Sequence, residues 1–235
     1  MDFSGYTDMA LGTAKLFNIE LTDNFNRPYF ATNVAEFWRR WHISFSNWLQ
    51  DYIFKPLQMR MRNLKIWGSI FATLITFFIS GLWHGASWTF VIWGLIHGIY
   101  LATSIIYKPF QKKIYKKLKL SDTKILKIWN TFVTFNLVSF AWIFFRSENL
   151  TDAWKIVSKL FQGLTIQLSS FSMLKETLKL GLGKFDLLFV ALSFMIVLFF
   201  EMKSDKNNDF IFKMQNKPIY IRWGFYYMLV MWIAL

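Results

Sequence analysis

The sequence predicts an all-α, polytopic membrane protein with an interfacial amphipathic helix, and three observations carry that prediction. Of 235 residues, 54% are hydrophobic and 20% aromatic, and the mean hydropathy is +0.30. Only 17% are charged, against about 25% in an ordinary soluble domain. The charges also gather in bands between nearly uncharged apolar stretches, the pattern of a chain that crosses a bilayer repeatedly.

The elements follow in order. Residues 1–66 read as an interfacial or re-entrant segment of mixed polarity, with "DNFNRPYF" forming a turn around Pro28. Within it, "EFWRRWHISFSNWLQDYIFKPL" (36–57) places Phe37, Trp38, Trp41, Phe45, Trp48 and Leu49 at roughly helical spacing. Arg39, Arg40, Asn47 and Gln50 fall between them, so the stretch predicts one amphipathic helix suited to a membrane interface. Residues 67–107 form a histidine-bearing helical hairpin, with spans at 67–83 and 86–107. Residues 108–127 form a basic loop with eight lysines against one aspartate. Residues 128–235 hold the C-terminal spans, at 128–145, at 187–200 and from Arg222 onward, with a surface helix somewhere in 146–186.

Basic stretches bracket the hairpin on the same side, and the positive-inside rule makes that side cytoplasmic. The opening "MDFSGYTDMA" lacks a basic n-region and an apolar core, and "YYMLVMWIAL" ends the chain inside an apolar run. Both lead to the expectation of a fragment whose last span is truncated. The formal net charge is +13, but the basic residues flank apolar spans. Their expected counterpart is therefore anionic lipid headgroups and not nucleic acid.

There are no cysteines, which removes disulfides, thiolate metal sites and a cysteine nucleophile. No G-x-S-x-G elbow, P-loop or dinucleotide glycine pattern occurs. Attention therefore falls on the three histidines. His84 lies in "SGLWHGASW", between the first two spans and with no carboxylate nearby. An ionisable side chain at membrane depth is costly and marks a functional site by default. Imidazole is also the side chain best suited to take a proton near neutral pH. A histidine satisfied by a neighbouring carbonyl is the competing reading. Gly81 and Gly85 form a small-xxx-small pair that lets a helix approach closely. His97 echoes the arrangement in "GLIHG" and reads more readily as structural. His42, His84 and His97 lack the i, i+4 spacing of a helical zinc site, so no metal is expected.

Four segments carry a family resemblance: "DFSGYTDMALG", "NFNRPYFATNVAEFWRRWHISFSNWLQDYIF", "SGLWHGASWTFVIWGLIHG" and "WIFFRSENLTDAW". In this order and at these separations they resemble the membrane-bound O-acyltransferase (MBOAT) family, in its alginate O-acetyltransferase branch. The branch that D-alanylates teichoic acid is the nearest competitor. The resemblance implies an MBOAT-like helical bundle over 1–235, here partial because family members carry further spans upstream. It implies transfer of an acyl group, acetyl from coenzyme A or another thioester donor, to a hydroxyl of an extracytoplasmic polysaccharide or cell-wall polymer. It makes His84, in W-H-G, the catalytic histidine and His42, in R-R-W-H-I-S, a second functional one. Arg39 and Arg40 then become candidates to meet donor phosphates, or else interfacial anchors. An extracytoplasmic partner protein that receives the acyl group is also implied. The chain departs from the branch at Lys55-Pro56-Leu57-Gln58-Met59-Arg60, where I-P-L-G-G-N-R is usual, and at Gln50, where arginine is usual. A non-enzymatic proton-relay segment, or an inactive fragment, is the alternative class.

Overall fold

A computed structural model describes residues 2–118, 120, 123–167, 192, 195, 216–224 and 227. The chain divides into two compact units, 1–164 and 165–235. In the second unit the described backbone includes the last three residues of a helix that ends at Gln167 and a helical turn opened by Pro218, whose carbonyl accepts from the Ile221 and Arg222 amides. The predicted span at 187–200, and most of the one from Arg222, lie outside the described residues.

The first unit is helical. Its elements are α1 (Asp2–Leu16), α2 (Val34–Arg40), α3 (Ile43–Leu49), α4 (Lys55–Arg60), α5 (Ile66–His84), α6 (Trp88–Lys117), α7 (Lys124–Arg146) and α8 (Leu150–Gln167). Short 3₁₀ turns at Pro28–Phe30 and Arg62–Leu64 and a π-turn at Gln50–Phe54 join them. Among the described residues the extended backbone pairing is one antiparallel bridge between Phe25 and Trp41. Three described helices, α5, α6 and α7, are long and apolar enough to cross a membrane. The chain is an integral membrane protein, all-α in its described part.

Local chemistry sets the helix ends. Asn33 caps α2 by accepting from the Glu36 amide at 2.9 Å, while Glu36 reaches back to the Thr32 amide at 2.8 Å. This is a close relative of the capping box, satisfying two orphan donors reciprocally. Ser87, Thr123 and Asn149 cap α6, α7 and α8 by accepting from amides two or three residues on. Gly85 closes α5 at φ +156, a conformation that side-chain-bearing residues rarely adopt.

The α5–α6 hairpin is closely packed. A Cβ built on Gly81 would lie 2.5 Å from the Phe90 carbonyl oxygen, and one on Gly94 would collide with the Phe77 carbonyl oxygen. Backbone therefore meets backbone across Gly81 and Gly94. The small-residue contact expected of Gly81 and Gly85 is made instead by Gly81 with Gly94, because Gly85 is spent on the helix end. The buried core gathers Val34, Phe37 and Trp38 of α2, Phe77 of α5, Trp93 of α6, Val138, Ala141 and Phe144 of α7, and Ala153 and Val157 of α8. Outward, α7 exposes Ile125, Ile128, Trp129, Phe132 and Phe135, a face matched to hydrocarbon.

Two segments differ from expectation. The stretch 36–57 is not one amphipathic helix: it breaks at Trp41–His42, and a π-turn interrupts it again before α4. Helix α6 does not stop near Tyr107 but runs 30 residues to Lys117, through an internal Pro109. Much of the lysine-rich 108–127 stretch is therefore helical.

Candidate functional site

His84 is the last residue of α5 and is half-buried. Its ring packs edge-on to Trp83 (4.9 Å between centroids), Trp93 (5.0 Å) and Phe145 (5.0 Å). Its ring nitrogens carry no hydrogen bond among the described residues. A neighbouring carbonyl does not hold this imidazole; an aromatic wall does.

His42 reaches the same place by another route. It sits in the break between α2 and α3 with φ 45 and ψ 56, left-handed for a residue that carries a Cβ. Such a conformation costs about 1–2 kcal/mol and persists only where the surroundings over-determine it. Here the segment 24–26 does so. Asn26 donates its amide to the Arg40 carbonyl (2.9 Å), and Asn24 accepts the Ile43 amide on its carbonyl (3.0 Å). The Asn24 side-chain oxygen accepts both the amide and the hydroxyl of Ser44, at 3.0 and 2.6 Å. These bonds and the Phe25–Trp41 bridge strap the chain on both sides of His42.

The two imidazoles share neighbours. Phe45 lies 5.1 Å from the His42 ring and 6.1 Å from the His84 ring, and Trp83 also contacts both. They lie within Coulombic reach of each other. His42 Nδ1 is buried without a hydrogen-bond partner among the described residues. Burial pushes the His42 imidazole below the ordinary histidine range, so it is neutral at physiological pH.

The arginines separate. Arg40 forms an ion pair with Glu36 at 2.5 Å and donates to the Arg27 carbonyl at 3.4 Å. Burial opposes ionisation of Glu36, but hydrogen bonds from Thr32 and the Arg40 guanidinium outweigh it and hold the carboxyl below its ordinary range. Arg40 is thereby committed to the α2 turn. Arg39 is exposed on the same helix.

His97 is fully buried, and the Trp38 indole N–H donates to its Nδ1 at 3.3 Å. That bond ties α2 to α6. Because Nδ1 accepts, the neutral ring carries its proton on Nε2. The sequence offered the "GLIHG" echo for His97 but nothing that pointed to Trp38 as its partner, or to Trp93 and Phe145 as the walls of His84. A separate groove of about 690 Å³ along α8, lined by Leu150, Trp154, Lys155, Val157, Ser158 and Phe161, shares no residue with this cluster. Among the described residues, no group of three or more His, Asp or Glu side chains is placed to hold a metal ion.

Helices of membrane-crossing length, with two half-buried histidines packed among aromatic rings at and beside the end of one of them, define a polytopic membrane protein with a partly sheltered imidazole site. Residues 1–146 match the MBOAT, membrane-bound O-acyltransferase family, and the chain belongs to that family. It is 43% identical over 157 residues to a peptidoglycan O-acetyltransferase of Helicobacter pylori, covering 66% of this chain and 28% of that one. It is 37% identical over 195 residues to a Pseudomonas aeruginosa protein named "Probable alginate O-acetylase AlgI", covering 82% and 35%. A teichoic acid D-alanyltransferase of Streptococcus thermophilus is 33% identical over 164 residues, covering 65% and 39%. The chain spans about a third of the length of these relatives.

Proposed function

We propose that this chain carries the catalytic histidines of an O-acyltransferase. The enzyme moves an acyl group, acetyl first among the candidates, from a cytoplasmic thioester such as acetyl-CoA to a hydroxyl of an extracytoplasmic polysaccharide or cell-wall polymer. The observation that carries the reading is His84, an imidazole with unbonded nitrogens, walled by aromatic rings and set beside a second, neutral imidazole. A hydroxyl attacks a thioester poorly unless its proton leaves as the bond forms. General-base catalysis by a positioned histidine contributes about 10²–10⁴-fold to such a step. The apolar walls limit water and hence hydrolysis of the thioester.

His42 is assigned to the same site, where a neutral ring can donate to or orient a reacting oxygen. Arg39 is the arginine free to meet donor phosphates; Arg40 serves mainly to hold α2. The names of the relatives support a glycan or cell-wall acceptor, and an extracytoplasmic protein that takes over the acyl group is the partner such a transfer calls for. The D-alanyltransferase relative keeps aminoacyl transfer as the second reading.

The test is His84→Gln in the gene product as its own cell makes it, with correct insertion confirmed. Acylation of the cell's glycan polymers should fall to background. Undiminished acylation would remove the general-base assignment, and proton-coupled flux without thioester turnover would instead indicate a relay.

A further inference from the structure

Four buried polar side-chain atoms near the hairpin have no hydrogen-bond partner among the described residues: Ser80 Oγ, Trp93 Nε1, His97 Nε2 and Trp142 Nε1. Most buried polar groups are paired, so each such atom calls for an explanation. Ser80 is conspicuous because Thr73 and Thr76, on the same helix, both donate to the carbonyl four residues back, whereas its hydroxyl makes no such bond.

The remaining three are donors. An indole nitrogen can only donate, and His97, whose Nδ1 accepts from Trp38, presents N–H at Nε2. Trp93 is 1% exposed and His97 is fully buried. The rings are also grouped. Trp93 stands edge-on to His84 at 5.0 Å and 89°, and stacks on Trp142 at 5.9 Å. Phe145 packs against all three, at 5.0 Å from His84, 5.0 Å from Trp93 and 5.1 Å from Trp142. Trp93 also meets His97 at 5.2 Å and Trp38 at 5.8 Å. Trp93 contacts the candidate base, and Trp142 and His97 both contact Trp93; each of the three leaves a buried donor short of an acceptor oxygen.

We propose that the indole N–H groups of Trp93 and Trp142 bind the carbonyl oxygen of the acyl donor and stabilise the oxyanion it becomes, with the Trp38–His97 pair positioning Trp93. The inference rests on the acyltransferase reading above. In the step, the acceptor hydroxyl oxygen forms a bond to the thioester carbonyl carbon and its proton passes to His84. The π-electron pair of the carbonyl moves onto its oxygen, where the two indoles donate to it. Collapse of the tetrahedral intermediate breaks the C–S bond, and the departing thiolate takes the proton back from His84. Preorganised donors in a water-poor site act where charge develops and not on the ground state.

The experiment removes the indole N–H, by truncation to phenyl and by an isostere that exchanges the N–H for sulfur. Trp93→Phe, Trp142→Phe and, at position 93, the benzothienyl isostere of tryptophan are assayed in native membranes with acetyl-CoA, beside His84→Gln. Removing one oxyanion donor should lower kcat by about 10²–10³-fold. The donor KM should stay within a factor of about three, the pattern of a contact made in the transition state. Where a Phe variant fails to insert, the isostere decides. A kcat unchanged in the indole variants while His84→Gln is dead overturns the donor assignment and leaves the acyltransferase reading standing. Activity surviving in His84→Gln removes the general-base assignment and the step written through it, whereas wild-type membranes without thioester turnover remove the acyltransferase reading and the indole assignment together.

Discussion

The two histidines sit on opposite kinds of backbone. His84 ends a regular helix whose neighbour lies so close that glycines meet carbonyl oxygens. His42 occupies a left-handed kink between two short helices, held by bonds from residues 24–26 some twenty positions upstream. The first imidazole is placed by packing, the second by a strap of hydrogen bonds acting against local preference. Packing between long helices is stiff and depends on volume; the strap depends on a few polar atoms. Both deliver a ring to the same patch of Phe45 and Trp83, but they should fail in different ways.

The largest effect should come at the packed end. His84→Gln should reduce acyl transfer by at least the 10²–10⁴-fold typical of a lost general base, with little change in thermal stability, measured by turnover and by unfolding in detergent. Gly94→Ala places a methyl against the Phe77 carbonyl oxygen. It should destabilise the hairpin by about 1–3 kcal/mol or more, as overpacking does, and a scan of unfolding temperature checks this. At the strapped end the sign can reverse. Asn24→Ala removes the acceptor for Ser44 and should cost about 1–2 kcal/mol. His42→Gly relieves the left-handed strain and should stabilise the break by up to about 1 kcal/mol while lowering activity. A destabilised His42→Gly would show that the ring's packing outweighs its backbone strain.

Acid separates the regions further. His42 has its affinity for protons lowered by burial, so below about pH 6.5, the ordinary histidine value, the unfolded chain takes up a proton that the folded chain resists. Its stabilising contribution is present above that value and is lost as pH falls toward the depressed folded value. Glu36 acts in the same direction at lower pH: its carboxyl is held below its ordinary range, so its contribution disappears as pH falls through that depressed value. A pH series of unfolding on wild type, His42→Gln and Glu36→Gln should show the wild-type acid limb flattened in both variants. The smallest effect should be Lys55→Ala. This breaks an exposed pair with Asp51 at 2.6 Å and is worth about 0.5 kcal/mol or less.

Much of this was readable from residues alone. Apolar runs located α5, α6 and α7 to within a few positions at most ends, and W-H-G singled out His84. The break at His42 was not readable, because the spacing of Phe37, Trp41, Phe45 and Trp48 carries helical period straight through it. Periodicity reports which side chains turn inward, not whether one residue between them has changed hand. Helix α1 was hidden by its weak apolar pattern, and α6 overran its expected end because lysines favour helix as readily as loop. Arg39 and Arg40 look equivalent in sequence; only the partner at Glu36 separates them. The wall of His84 comes from α6 and α7, some ten to sixty residues away, and no local motif announces it.

At 30 residues, α6 measures about 45 Å, whereas hydrocarbon needs roughly 30 Å of it. The surplus carries Lys108, Lys112, Lys113, Lys116 and Lys117 in unbroken helix. Positive charge is thus mounted on a stiff post and not on a slack tether. Carried in helix, those ammonium groups keep fixed spacings along one axis, which a loop of the same sequence would not impose on them.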